Sequence, residues 1–511
     1  MNSRKRRHLS AAAMAASAAL ILSACAFPDY AYDKNWGGGV GDGPTASASG
    51  DQPTGRATGD VTASPNPPSS DEVVWEPCPD VSGDAECATI HPPLDYANPD
   101  GETIDLALAR IPASDQDNRI GSLLINPGGP GGSGIDMVDY LSTTISAEVL
   151  ARYDLLGFDP RGVGRSSAVE CFTTTEERDQ FWAADWPRTA EGYEESAAIV
   201  QPFVDACLEN TGDLLAHVDT ISSARDMDFI RQAVGDEELY YLGYSYGTQL
   251  GATYAELFPD KVGRLVLDGA LDLSLSPEEH SLSQAAGFQQ ATETYVDDCL
   301  SDPASCPLTG PRDNALTQIH DLLAQIHEEP LPTMLGRDLT LPLALNGVLV
   351  VMYEDSLWPY LTMALEEAMA GDGTTLLILS DLYMDRDTTN DVYTSNTQEA
   401  FIAINALDAS TAYDLASVEA NAAALKEAAP TFGEWWGYGE KLAELWPYPA
   451  VDEPHAPSAP GAKPILVIGT TGDPATPYHE AVTMSEQLES GVLLTYEGEG
   501  HTAYGRSNDC I

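Results

Sequence analysis

Ser245 is the centre of Gly243-Tyr244-Ser245-Tyr246-Gly247, a Gly-x-Ser-x-Gly pattern. The pattern directly follows the apolar run Leu239–Leu242 and precedes the helix-like TQLGATYAELF. A nucleophilic serine needs this context, because a strained strand-to-helix turn projects the hydroxyl and the glycines leave room for the crossing. A second motif, Asn126-Pro127-Gly128-Gly129-Pro130-Gly131-Gly132-Ser133-Gly134, also follows an apolar run. A phosphate-binding loop would require Lys and Ser/Thr after the last glycine, and Ile135-Asp136 stands there instead. The loop therefore reads as one that brings backbone N–H groups close to a developing alkoxide. Gly129 is the expected donor, paired with the N–H of Tyr246, the residue after the nucleophile. In Thr471-Gly472-Asp473-Pro474 the single acid of a Gly/Pro-rich loop can orient a histidine. Asp268, after the run Arg264–Leu267, is a rival position expected to make structural hydrogen bonds. Gly500-His501-Thr502 supplies the imidazole. Of nine histidines, only His501 directly follows a strand-like run and comes after both Ser245 and Asp473. His479, just after Asp473, is expected on the surface. Serine, histidine and aspartate in these roles carry out acyl transfer through a covalent acyl-enzyme, for which no metal or cofactor is needed.

These residues must be held by a particular frame. The chain order Ser245, Asp473, His501 is that of the α/β-hydrolases. Short apolar runs at Ile120–Ile125, Tyr153–Phe158, Leu239–Leu242, Arg264–Leu267, Pro464–Ile468 and Val492–Tyr496 read as buried strands with helical stretches between them. The segment ARDMDFIRQAVG reads as one such helix, capped by Ser222 or Ser223 and ended by Gly235. This alternation predicts an α/β fold with a mostly parallel sheet covered by helices on both faces. Between residues 273 and 461 the alternation stops. That stretch is Ala- and Leu-rich, mostly helical, and carries Trp358, Trp435, Trp436 and Trp446. It predicts a large helical lid inserted between late strands, with the core made of residues 73–272 and 462–511.

Composition places the chain. Its 511 residues hold 24 Lys+Arg against 80 Asp+Glu, a formal net charge of −56. Such a polyanion is expected to bind no nucleic acid and no anionic surface through a basic patch. Arg4, Lys5, Arg6 and Arg7 precede an apolar stretch from Leu9 to Leu22, too short to span a bilayer, so residues 1–24 read as a signal peptide. Leu22-Ser23-Ala24-Cys25 resembles a lipobox, in which Cys25 is lipidated and becomes the mature N-terminus. Residues 25–72 are rich in Gly, Ser, Thr, Pro and Asp and read as a disordered tether. The expected location is the extracellular face of the cytoplasmic membrane, held by the lipid. Eight cysteines are present. In an oxidising compartment Cys78/Cys87, Cys171/Cys207 and Cys299/Cys306 are plausible pairs on proximity, with Cys510 left over.

With these motifs in hand, the chain resembles the tripeptidyl-aminopeptidase-like serine hydrolases of actinobacteria, relatives of proline iminopeptidases. NPGGPGGSG, FDPRGVGRS, YYLGYSYGTQLGATYAELFPDKV, LVLDG, TGDPATP and GHTAYG carry the resemblance, which covers most of residues 74–511. It implies a secreted or lipid-anchored exopeptidase with a helical lid, removing short peptides or single residues from free N-termini. By motif match Ser245, Asp473 and His501 take the triad places. Such specificity needs an anion for the substrate ammonium, and Glu399 and Asp408 in QEAFIAINALD are the candidates. Two departures stand out. Ala406 occupies a lid position where members often carry Cys, and the sequence runs only ten residues past His501, where members usually continue into a last helix. A carboxylesterase or lipase would use the same triad and is the alternative. A substrate-binding lipoprotein would leave the triad and its loop unexplained. Nothing in the sequence specifies an oligomeric state.

Overall fold

The computed structural model describes residues 67, 69, 72–79, 81, 83–408, 414–508 and 511. The signal-peptide segment, Cys25, nearly all of the tether and Cys510 lie outside the described residues. Eleven strands occur in chain order: β1 Glu76–Pro77, β2 Glu86–Ile90, β3 Leu106–Ile111, β4 Gly121–Asn126, β5 Tyr153–Phe158, β6 Leu239–Tyr244, β7 Val262–Asp268, β8 Arg386–Asp387, β9 Val392–Tyr393, β10 Ile465–Gly472 and β11 Gly491–Glu499. Nine of them form one sheet in the order β1-β2-β3-β5-β4-β6-β7-β10-β11, and β8 and β9 pair separately. The sheet is antiparallel from β1 through β3 to β5 and parallel from β5 to β11. This is the α/β-hydrolase fold, with its sheet mostly parallel. The antiparallel edge β1–β3 is an addition to the strands read from the sequence. β1 is two residues long and β2 is only partly buried, so these two lack the continuous apolar run of a central strand, whereas β3 (LALARI) is such a run that the sequence reading passed over.

Two-residue periodicity puts apolar side chains on both faces. Leu124, Leu156 and Tyr241 belong to one apolar cluster, while their neighbours Ile125, Leu155 and Leu242 belong to another. Helix α1 (Gly134–Thr144) covers the second face through Ile135, Val138 and Leu141. Helices α2 (Thr220–Ala233) and α3 (Tyr246–Leu257) cover the first, through Met227, Ile230, Leu250 and Tyr254. The cap of α2 differs from the expectation. Asp219, not Ser222 or Ser223, is the N-cap, and its side chain accepts the Ser222 N–H. An earlier carboxylate offers the same acceptor and a better match to the helix dipole, so the helix starts a turn sooner. Its end is as expected, with Gly235 at φ 80° after the last turn.

The chain between β7 and β10 is mostly helical. Helix α4 (Pro277–Ser301) opens with Ser276 and Glu279 in a reciprocal capping box. Together with helices Arg312–Glu328, Leu341–Leu349 and Trp358–Met369 it encloses a separate apolar cluster around Tyr295, Leu323, Val348 and Leu361. The later part behaves differently. Ala400, Ala403, Ile404 and Leu407 of helix α5 (Thr397–Asp408), with Trp446, join the apolar cluster of the sheet. The insertion is therefore seated on the core by its own second half. Three disulfides, Cys78–Cys87, Cys171–Cys207 and Cys299–Cys306, are the pairs expected from proximity.

Candidate active site

Strands β4, β6, β7, β10 and β11 are parallel, so their C-terminal ends share one edge, where open α/β sheets place ligands. Ser245 follows β6 and is the N-cap of α3, at φ 54° and ψ −123°. A non-glycine residue with this conformation is strained, and the local bonding holds it there: Ser245 N–H donates to the Asp268 carbonyl at 2.9 Å, and Thr248 N–H donates to the Ser245 carbonyl at 2.7 Å. The turn is crowded. A methyl group at Gly247 would lie 2.9 Å from Asn126 Oδ1 and 3.0 Å from the Asn126 carbonyl at the end of β4. Glycine is what lets β4 and the elbow approach each other.

The loop after β4 passes beside this turn. Gly128 and Gly129 have φ 93° and 110°, and the Gly128 N–H is held by Asn126 Oδ1 at 2.9 Å. A Cβ on Gly128 would sit 2.9 Å from Ser245 Cβ and 3.2 Å from the Tyr246 nitrogen. Tyr246 is the first residue of α3, so its N–H has no intrahelical acceptor. The far side of the loop is anchored by Ser133, which caps α1 and donates to Asp159 Oδ1 at 2.5 Å.

Asp473 and His501 are joined. His501 Nδ1 lies 2.8 and 2.9 Å from the two carboxylate oxygens of Asp473. Asp473 is fully enclosed, and its oxygens also accept from the N–H groups of Ala475 (3.0 Å), Thr476 (2.9 Å) and Thr502 (3.0 Å) and from Thr476 Oγ1 (3.0 Å). A carboxylate accepting this many bonds is fixed in place, and as an acceptor at Nδ1 it sets the imidazole proton on that nitrogen. His501 meets the elbow through Asp268-Gly269: the Asp268 carbonyl holds Ser245, and a methyl group at Gly269 would lie 3.3 Å from His501 Cε1. The rival acid Asp268 instead receives the N–H groups of Ala503 and Tyr504, and burial pushes its carboxyl up to about 6. It braces the loop after His501. His479 is exposed.

A cavity of about 480 Å³ opens on Ser245, Gly129 and Tyr246. Asp408 lines it, as do Asp272, Asp452 and Glu453. Asp408 accepts from Thr220 N–H at 2.8 Å and Thr220 Oγ1 at 2.5 Å, with Gln249 Nε2 at 3.4 Å. Burial pushes its carboxyl up to about 7, with Asp219 and Asp452 adding to the rise and the Thr220 bonds opposing it. Glu399 is a correction. It is not among the cavity residues, and it is neither solvated nor free for an ammonium. It is 2% exposed, and its oxygens bind Arg178 at 3.0 and 3.2 Å and receive the N–H groups of Cys171 and Phe172. That pair clamps the lid helix α5 to the core, because an unpaired buried carboxylate would be costly. The sequence reading did not single out Thr220, Gln249, Thr476 or Tyr353. Thr476 lies within the TGDPATP motif and could have been read from it. The others are brought in by contacts across the fold. Among the described residues no group of three or more His, Cys, Asp or Glu is arranged to hold a metal ion.

Comparison with known proteins agrees with the fold. A family model described as the alpha/beta hydrolase fold matches residues 121–309, and one described as TAP-like protein matches residues 429–511. Serine protease Hip1 of Mycobacterium tuberculosis (strain ATCC 25618 / H37Rv) is 39% identical over 459 residues, covering 86% of this chain and 87% of that one. Carboxylesterase B of the same strain is 38% identical over 454 residues, with 86% and 85% covered. Tripeptidyl aminopeptidase of Streptomyces lividans is 30% identical over 448 residues, with 86% and 82% covered.

Proposed function

The chain belongs to the family of TAP-like α/β-hydrolases, and from that premise we propose that Ser245, His501 and Asp473 are the triad of an exopeptidase acting on free N-termini. It is a serine hydrolase of the peptidase kind. The observation that carries the proposal is the Asp473–His501 pair packed beside Gly269, next to the Asp268 carbonyl that holds the strained turn of Ser245, with Ser245 itself lining a cavity that also holds several carboxylates. Ser245 Oγ attacks the scissile carbonyl of a peptide. His501 Nε2 takes the proton and passes it to the leaving amine, while Asp473 keeps the other ring nitrogen protonated and stabilises the imidazolium. The N–H groups of Gly129 and Tyr246 receive the oxyanion. Water then releases the acyl group by the same steps in reverse.

Asp408 is our candidate for the substrate ammonium. Its carboxyl, raised to about 7, becomes an anion as pH rises through that value. A peptide α-amino group is cationic below about 8. The preference for a free over an N-acetylated peptide anilide should therefore grow as pH rises from 6 to 7.5. The catalytic steps are common to both substrates, so the ratio isolates the ammonium site. Asp408→Asn should flatten the pH dependence and lower kcat/KM for the free amine about 10- to 100-fold, the scale of a lost charge-assisted bond. Equal rates on acetylated and free peptides would end the exopeptidase reading. The similarity to a carboxylesterase favours one alternative, an esterase using the same triad. Faster turnover of p-nitrophenyl acyl esters than of any peptide anilide would support that alternative.

The expected location is the outer face of the cytoplasmic membrane, on a lipid at Cys25. Leu22-Ser23-Ala24-Cys25 and three disulfides, which need an oxidising compartment, support it. Cys25→Ala should move the enzyme from the membrane fraction to a soluble one. Retention equal to that of the unaltered protein would reject the anchor.

A further inference from the structure

His501 sits on a turn that the backbone alone does not favour. Gly500 before it has φ 91°, and Thr502 after it has φ 66°, a region costly for a β-branched residue. One side chain binds all around this turn. Arg506 Nη2 donates to the Glu499 carbonyl at 2.6 Å, and Nη1 donates to the carbonyls of His501 at 3.0 Å and Thr502 at 3.4 Å. The same guanidinium reaches the lid. Nη1 is 3.4 Å from the Tyr353 carbonyl, and Nε is 3.2 Å from Glu354 Oε2.

The lid touches His501 directly as well. The His501 N–H donates to the Tyr353 carbonyl at 2.8 Å, and the Tyr353 ring meets the imidazole edge-on with centroids 5.3 Å apart. Tyr353 and Glu354 end the short turn after helix Leu341–Leu349, in the part of the insertion with its own apolar cluster. Gly500 makes the arrangement possible. A Cβ there would lie 2.6 Å from Arg506 Nη2 and 2.8 Å from the Tyr353 carbonyl. The planar fork of an arginine can serve several carbonyls and a carboxylate at once, which a lysine cannot.

We propose that Arg506 is a positioning residue for His501, tying the loop that carries the imidazole to the lid turn at Tyr353–Glu354, so that the working place of the imidazole depends on the seated lid. The proposal rests on His501 acting as the base. Without the guanidinium the turn relaxes, and His501 loses its register against Asp473 and one of its two ties to the lid, the direct Tyr353 contact alone remaining.

The test compares full-length Arg506→Met, Arg506→Lys and Glu354→Gln with His501→Ala. On a peptide anilide, Arg506→Met should lower kcat about 10- to 100-fold, the effect of an ångström-scale misplacement, with KM changed by less than about threefold. The far-downfield proton resonance of the His501 Nδ1–H···Asp473 bond should broaden or vanish, with Arg506→Lys intermediate in both readouts. A merely structural role would lower the melting temperature and leave that resonance sharp in the folded protein. An Arg506→Met enzyme that keeps its kcat, or loses kcat with the resonance intact, overturns the proposal. If Arg506→Met does not fold, Glu354→Gln decides: it leaves the loop bonds in place, and a resonance and kcat equal to those of the unaltered enzyme would overturn the coupling to the lid. Full turnover by His501→Ala would instead overturn the triad itself, which separates the two failures.

Discussion

Replacing Ser245 by alanine is expected to lower kcat by about 10⁴ to 10⁶, the scale seen when a triad nucleophile is removed. The side chain takes part in no structural bond that the fold needs. The turn is held by the backbone bonds from Ser245 N–H to Asp268 and from Thr248 N–H to Ser245, which alanine keeps. The left-handed φ of 54° is no worse for alanine than for serine. The variant should therefore melt near the temperature of the unaltered protein, and the loss belongs to chemistry. Residual turnover should come from the Gly129 and Tyr246 N–H groups and from the cavity, which bind and polarise a substrate without a nucleophile. Steady-state kinetics on a peptide anilide measures the loss, and labelling with a fluorophosphonate should vanish with it. Undiminished turnover by Ser245→Ala would end the acyl-enzyme mechanism.

Asp473→Asn carries the second-largest expectation, a fall in kcat of about 10³ to 10⁴. An amide cannot accept from His501 Nδ1–H on its nitrogen side, so the ring is pushed toward the wrong tautomer and loses the charge that stabilises the imidazolium. Here, unlike at Ser245, stability should also suffer. The Asp473 oxygens receive Ala475, Thr476 and Thr502 N–H groups and the Thr476 hydroxyl as well as His501. An asparagine would turn an NH₂ toward some of these donors. A buried donor left without an acceptor costs about 1 to 3 kcal/mol, which thermal unfolding beside the Ser245→Ala protein would reveal. A folded Asp473→Asn enzyme with kcat within about tenfold of the unaltered one would remove Asp473 from the triad.

Much of the frame was readable along the chain. The inner parallel strands are apolar runs because most of their residues are buried, and β4, β5, β6, β7, β10 and β11 lie within a few residues of their expected places; β11, expected as a buried strand, is instead the half-exposed edge of the sheet. The elbow was readable because its glycines, strand and helix are contiguous. The antiparallel strands were not read: β2 is only partly buried and is recognisable mainly through its pairing, while β3 is a buried apolar run that was passed over. The α2 cap moved because serines inside a helix and a carboxylate before it are both plausible caps in one dimension. Glu399 shows the limit most clearly. In sequence it and Asp408 are two similar acids on one helix, nine positions apart. In the fold Glu399 faces Arg178, 221 residues away, while Asp408 faces the cavity beside Thr220.

The sequence by itself determined the residues of the proposed chemistry: which of them end which strands, and the order Ser245, Asp473, His501. Parallel strands bring those ends to one edge, so local spacing and strand direction together locate the site. Only the tertiary structure decided the environment of that chemistry. It turned Glu399 into a clamp and left Asp408 in the cavity. It made Asp268 a brace rather than an orienting acid, and it set Arg506 and the lid turn at Tyr353 around His501. The physical reason is that a side chain's partner is fixed by packing between segments far apart in the chain, and no periodicity along the chain encodes which of many acids will meet which cation.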